Sequence, residues 1–353
     1  MALQPNPYRT APSRSFWSRS VARDWQPADL VAGEGPLIRK GDTVASAGSC
    51  FAANIVPYLQ RAGFNYLRTE ARNPAFAHVE PERLGYDNFS AAYGNIYTAR
   101  QLLQLIQRCL GTFRPAEDRW QLSETIVDPF RPGLRYPAAS HREFDLLTAQ
   151  HLRRTLGALC GARVFIFTLG LTETWVSRID GAVFPACPGT VAGSFDPERH
   201  EFKNFAVGEV VADLDQFFLL LRELNPELRM ILTVSPVPLV ATATGQHVLT
   251  ASTYSKSVLR VAASEISARH ADVIYFPAYE IVTGPQAPKH FFDFNRRNVT
   301  TEAIDAVMEA FLARCEIDGA AAIAAGDAVP EASSAFSAAL AEAECEEVMA
   351  DRG

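Results

Sequence analysis

The chain has 353 residues, enough for one large α/β domain with elaborate loops or for two modest ones. With 48% apolar and 21% charged residues it has the composition of a folded globular protein, which excludes a disordered one. Lys plus Arg number 33 against 40 Asp plus Glu, and the net charge of −7 speaks against a general nucleic-acid binder, because neutralising phosphates needs a basic face.

In chain order, residues 1–40 read as an irregular N-terminal arm. Pro5, Pro7, Pro12, Pro27 and Pro36 interrupt any helix, and Trp17 and Trp25 predict that the arm docks on the body. Thr43 to Ala47 is a short strand of small residues closed by Gly48, and residues 50–62 follow as one helix stopped by Gly63. A helix starts at Thr98, with Gln101 in the capping-box position, and ends at Gly111. Residues 145–160 carry Leu146, Leu147, Leu152, Leu156 and Leu159 near helical spacing. Arg163 to Leu169 is an apolar strand of the kind buried on both faces of a parallel sheet.

Helix 209–224, strand 230–234, helix 252–269, strand 273–276 and helix 301–315 continue the alternation. Strands alternating with helices predict a doubly wound, mostly parallel sheet spanning residues 41–316. Two insertions, at 112–144 and 174–208, interrupt the rhythm and read as functional lids, since long loops in compact domains are rarely spacers. The tail, 317–353, is rich in Ala and Glu and reads as flexible.

The six cysteines (Cys50, Cys109, Cys160, Cys187, Cys315, Cys345) show neither zinc-ribbon nor CxxC spacing, which predicts free thiols and no metal. The N-terminus has no apolar run of signal-peptide length, and no stretch approaches the roughly 18 apolar residues of a membrane span. The expectation is a cytoplasmic protein without nucleic-acid partners.

Ligands of open α/β sheets bind outside the carboxyl ends of the strands. That rule selects Gly48-Ser49-Cys50, Gly170 to Glu173, Ser235 to Pro238, and Pro277 to Gly284. Ser49 is the most informative of these. It opens a helix after a tight glycine turn, so its hydroxyl meets unpaired backbone N–H groups, as suits a nucleophile whose product is an oxyanion. The same position suits a plain N-cap. Cys50, one residue on, reads as packing beneath the site. Among seven histidines, His247 follows strand 230–234 on the correct rim and is the preferred base, with His290 second. Arg296 and Arg297, with Arg131 and Arg135, are candidates for binding an anionic group, or ordinary surface arginines.

Gly48-Ser-Cys-Phe-Ala52 resembles the name motif of the GSCFA family, a branch of the SGNH-hydrolase superfamily. Gly94-Asn95-Ile-Tyr97, Thr168 to Trp175, Val234 to Pro238, Tyr254-Ser-Lys-Ser257 and Tyr279-Glu-Ile281 are similar to its other blocks, so that the likeness runs over roughly residues 40 to 312. The resemblance implies a flavodoxin-like three-layer α/β/α sandwich with two loop insertions, and a serine esterase or O-acyltransferase ancestry. It makes Ser49 the nucleophile, and it forms the oxyanion hole from the Ser49 amide, Gly94 and the position of Thr172, where asparagine is usual.

Glu173 stands where an acidic residue is common, able to orient a base or a substrate hydroxyl. Asn95, Tyr254 and Arg297 are the further binding candidates. No cofactor is implied, only an acyl donor such as a thioester, with a small-molecule or glycan substrate. One departure is large: where the superfamily places Asp-x-x-His, this chain reads Asn295-Arg296-Arg297-Asn298. Two other outcomes follow from that loss: a degenerate glycan- or metabolite-binding protein in polysaccharide assembly, or a transferase that does not use Ser49 as nucleophile.

Overall fold

A computed structural model describes residues 6–317, apart from 24, 32, 34, 72–85, 87 and 135. Arg135 and nearly all of the tail read as flexible therefore lie outside the described residues. The arm carries one short helix, α1 (Trp17–Ser20), and three 3-10 turns. It docks only in part. Trp25 packs against the core while Trp17 is 64% exposed. Arg314 donates to the carbonyls of Val31, Gly33 and Gly35.

Strand β1 (Thr43–Ala47) leads through Gly48 and Ser49 into α2 (Cys50–Ala53) and α3 (Ile55–Arg61). The expected single helix 50–62 is thus two, broken at Asn54. Pro57 has no N–H to bond the carbonyl four residues back, so the ladder cannot run through. After β2 (Asn65–Tyr66), helix α4 (Ala99–Leu110) begins at Thr98, whose hydroxyl accepts from the Gln101 N–H. A hairpin of β3 (Trp120–Leu122) and β4 (Thr125–Val127) precedes α5 (His141–Gly161). That helix starts four residues earlier than its leucine pattern, because Ser140 and Glu143 form a capping pair.

Strand β5 (Val164–Leu169) is followed by β6 (Glu173–Ser177), β7 (Val183–Phe184) and β8 (His200–Asn204). Helix α6 (Val207–Leu224), β9 (Arg229–Val234), α7 (Val248–Arg269), β10 (Val273–Tyr275), α8 (Ala278–Thr283) and α9 (Thr301–Leu312) complete the domain.

The main sheet has the order β10-β9-β5-β1-β2, with every pair parallel. Counting only its own strands, that is the 2-1-3-4-5 order of flavodoxin-like folds. Alternation along the strands supplies both layers. Ala45, Ala47, Phe165, Phe167, Leu169, Met230, Leu232 and Val234 pack with helices α4, α6 and α7. Val44, Val164, Ile166 and Ile231 point to the other side, against α3, α8 and α9. The result is a three-layer α/β/α sandwich.

The insertions are built rather than loose. In the second, β6 pairs antiparallel with β7 and β8 to form a small sheet. It shares an aromatic core, Trp120, Phe130 and Phe184, with the first. Glu117 ties the two together, accepting from Trp120 Nε1 at 2.6 Å, Arg199 Nη2 at 2.7 Å and His200 Nε2 at 3.0 Å. No helix among the described residues is long and apolar enough to cross a membrane.

Candidate functional site

The site grows from the carboxyl end of β1, the second-innermost position beside β5. Gly48 has φ +151°, a conformation that favours glycine, and there is no room for a side chain. An added Cβ would stand 2.7 Å from Ala52 Cβ and 2.9 Å from both Cβ and O of Thr168. The glycine lets β1 turn directly into α2 while pressed against β5. Ser49 occupies the N-cap of α2 with extended φ −93° and ψ −172°, yet its hydroxyl does not cap the helix. The residue is 5% exposed, and among the described residues its Oγ has no hydrogen-bond partner. An uncommitted serine oxygen over a helix start is available for chemistry, which a capping serine is not.

One neighbouring loop is bolted to this turn by a backbone hydrogen bond, and a second is bolted to the first. The Ile96 N–H donates to Gly48 O at 2.8 Å, which fixes the Gly94–Tyr97 loop beside Ser49. Tyr97 O in turn accepts from Gly170 N at 3.0 Å and Leu171 N at 3.1 Å. Gly94 takes φ +65°, the left-handed region open to glycine, where the loop reverses. Gln101 clamps the loop at both ends, accepting from Tyr97 N at 2.9 Å and donating to Asn95 O at 2.7 Å. From below, the Tyr93 hydroxyl donates to Ser46 O on β1, and burial pushes this phenol well above its ordinary pKa, so it stays protonated.

The Gly170 block is held from α7. Lys256, buried on that helix, donates to Gly170 O at 2.6 Å, and the Thr172 N–H donates to Ser255 Oγ at 3.0 Å. Thr172 is fully buried, and its Oγ1 has no hydrogen-bond partner among the described residues. Its hydroxyl therefore does not face an open crevice. Glu173 is buried at the start of β6, accepting from Thr242 Oγ1 at 2.8 Å and, more distantly, from Ala243 N. Desolvation raises its pKa, against the pull of those two donors.

The remaining candidates stand apart. His247 is exposed as the N-cap of α7, where its Nδ1 accepts from Leu249 N at 3.2 Å. An Nδ1 that accepts leaves the ring proton on Nε2, so in this conformation the ring cannot take a proton from a neutral hydroxyl. No hydrogen bond among the described residues joins it to Ser49. Tyr254 is half-exposed further along the same helix. Arg297 sits in the hairpin bridged by Phe292 and Val299, where Asn295 Oδ1 accepts from the N–H groups of Arg297 and Asn298 at 2.9 Å each. His290, just before it, is exposed. The Cys50 side chain lies outside the described residues.

Arg131 is no surface anion-binder. It is buried in a cluster that the sequence did not announce. Its Nε donates to Asp128 Oδ2 at 3.0 Å and its Nη1 to Ala92 O at 3.3 Å, with Glu70 Oε1 at 3.6 Å. His151 Nδ1 lies 2.7 Å from Glu70 Oε2, and Arg108 Nη2 lies 3.8 Å from Asp128 Oδ2. Burial and the Arg131 charge lower the His151 pKa, while against desolvation the His151 hydrogen bond and the Arg131 charge hold Glu70, and the Arg108 and Arg131 charges hold Asp128, below their ordinary values. Two carboxylates and two guanidiniums thus balance around a neutral imidazole that donates to Glu70.

The model of the GSCFA family matches residues 43–311, the whole of the sheet and both insertions. No curated protein matches the chain.

Proposed function

The chain belongs to the GSCFA family, and from that premise we propose that it is a serine acyl hydrolase or O-acyltransferase of the SGNH type, working through Ser49. The observation that carries the reading is the uncommitted Ser49 hydroxyl, held at the carboxyl end of a central strand beside a loop that is hydrogen-bonded to its own turn and, through Tyr97, to the Gly170 block. In this reading the Ser49 oxygen adds to the carbonyl carbon of an ester or thioester. The amides of Ser49 and Gly94 receive the developing oxyanion, and the tetrahedral adduct collapses to an acyl-enzyme as the alcohol or thiol leaves. Water or an acceptor hydroxyl then takes the acyl group. His247 takes the serine proton only after releasing the Leu249 N–H. A hydroxylated, carbohydrate-like acceptor in the cytoplasm is the proposed partner.

The test is turnover of short-chain aryl esters and acyl thioesters by wild type and Ser49→Ala. Loss of turnover in the variant, with unchanged folding, supports the reading. Equal turnover ends it.

A second reading is favoured by one observation. At the stretch where the resemblance places an acid–base pair, Asn295 instead closes a turn through its side-chain amide. The site would then bind a glycan or metabolite without converting it. Saturable glycan binding by both wild type and Ser49→Ala, with no ester cleavage by either, supports this reading over the first.

A further inference from the structure

The buried charge cluster invites the question of what it holds. Five titratable side chains, from the segment after β2 (Glu70), α4 (Arg108), the first insertion (Asp128, Arg131) and α5 (His151), converge with almost no access to water. A buried ion cluster contributes little to stability relative to apolar residues of the same size, so its stabilising value does not explain it. Its contacts do. Glu70 Oε2 accepts the Ala92 N–H at 2.9 Å, and Arg131 donates to Ala92 O at 3.3 Å, so one ion pair grips both backbone groups of a single residue.

Ala92 lies two residues before Gly94. An added Cβ on Gly94 would stand 3.5 Å from Arg131 Cβ, so the loop reverses beside Arg131 with room for no more than about a methyl group between them. On its other side the same loop is tied to Gly48 through Ile96 and to Gly170 through Tyr97. Arg131 is itself oriented by Asp128, which also accepts the Phe130 N–H at 2.9 Å. A small cavity of ≈ 20 Å³, lined in part by His151, Arg108, Gln101 and Gln104, adjoins the cluster. Gln104 reaches the second insertion from there, bonding Gly181 O and Val183 N at 2.8 Å each.

We propose that Glu70 and Arg131 are positioning residues that fix the Gly94 amide relative to Ser49, with Asp128, His151 and Arg108 holding the pair in place, so that the first insertion acts as a fixed clamp on the oxyanion-binding loop. This rests on the reading of Ser49 as an acyl-transfer nucleophile. A preorganised donor is worth most when it does not have to be reoriented during the reaction, and a misplacement of about 1 Å costs on the order of a hundredfold in rate.

The experiment compares two charge-balanced double variants, since removing one partner alone leaves a buried charge and risks misfolding. Glu70→Leu/Arg131→Met removes both grips on Ala92. Glu70→Gln/Arg131→Met keeps an acceptor for the Ala92 N–H. Two readouts are taken: the turnover of an aryl ester, split into kcat and KM, and amide hydrogen exchange across residues 88–97. The expected result is a kcat lowered about a hundredfold in the first variant and less in the second, with KM little changed and exchange at Ala92 and Ile96 accelerated in the same order. Wild-type kcat and wild-type exchange in the Leu/Met variant, confirmed as folded, overturn the proposal. A wild type without ester turnover refutes the catalytic reading but not the clamp, which the exchange measurement then decides: accelerated exchange sustains it and unchanged exchange removes it.

Discussion

Replacing Gly48 by alanine tests whether the turn that presents Ser49 is as constrained as its geometry implies. Two penalties apply. A non-glycine residue held at φ +151° stores about 2 kcal/mol of backbone strain. The new methyl would lie 2.7 Å from Ala52 Cβ and 2.9 Å from the Thr168 carbonyl oxygen, in a place where both neighbours are fully buried. Overpacking of that kind costs about 2 kcal/mol more.

The sum, about 4 kcal/mol, corresponds to a fall in Tm of about 8–16 °C at about 2–4 °C per kcal/mol. Thermal unfolding followed by circular dichroism reads it directly. In an Ala52→Gly background the closest contact is gone while the two with Thr168 at 2.9 Å remain, so the same substitution should cost less but still show the strain and part of the overpacking. Since the turn carries Ser49, ester turnover measured well below the new Tm should fall about tenfold or more. A Gly48→Ala protein within about 2 °C of wild type would refute the constrained-turn argument.

Other outcomes follow from single groups. Asp213 is buried, and desolvation pushes its pKa from 3.8 up to about 6 despite the Arg100 Nε contact at 2.6 Å. Because the folded protein resists this ionisation, the associated stability is full below the unfolded pKa and is lost as pH rises through about 6. Asp213→Asn should therefore gain up to about 3 kcal/mol on wild type between pH 4 and pH 7 in denaturant titrations, and parallel pH profiles would contradict this. Thr172→Val removes a fully buried hydroxyl without a partner, so stability should hold or rise by about 1 kcal/mol. A drop in turnover at unchanged stability would return that hydroxyl to the oxyanion site. His247→Ala loses the α7 cap, about 1 kcal/mol in unfolding free energy. With His247 as proton acceptor, turnover should also fall about a hundredfold, whereas unchanged turnover assigns the ring to capping alone.

What could be read from the sequence follows the physics of each signal. Strands β5 and β9 were legible because both faces are buried, so their residues are uniformly apolar. The Thr98 cap and the Gly111 stop were legible because their signals are local. Strand β2 was not, being two residues long and fixed only by pairing with β1. The strands of the second insertion were not legible either, because His200–Asn204 is polar and its strand character rests on pairing with β6.

Ser140-x-x-Glu143 was a local signal overlooked in favour of the leucine pattern behind it. The same preference hid His247, whose capping role shows only once α7 starts at Val248. The charge cluster was the least legible part. Glu70 and His151 are 81 residues apart, and nothing local to either says that they meet. Ser49 was found by its place after a strand, but whether its hydroxyl caps a helix or stays uncommitted is settled by a side-chain orientation that a sequence does not carry.

The proposed function requires Ser49 to be an activated nucleophile. Incubation of the folded protein with a fluorophosphonate probe, followed by intact-mass and peptide-level mass spectrometry, tests it most directly. The prediction is one adduct per chain, on the peptide containing Ser49, absent in Ser49→Ala and in the unfolded protein. An unchanged mass after prolonged exposure to excess probe, or an adduct mapped to another residue, would contradict it.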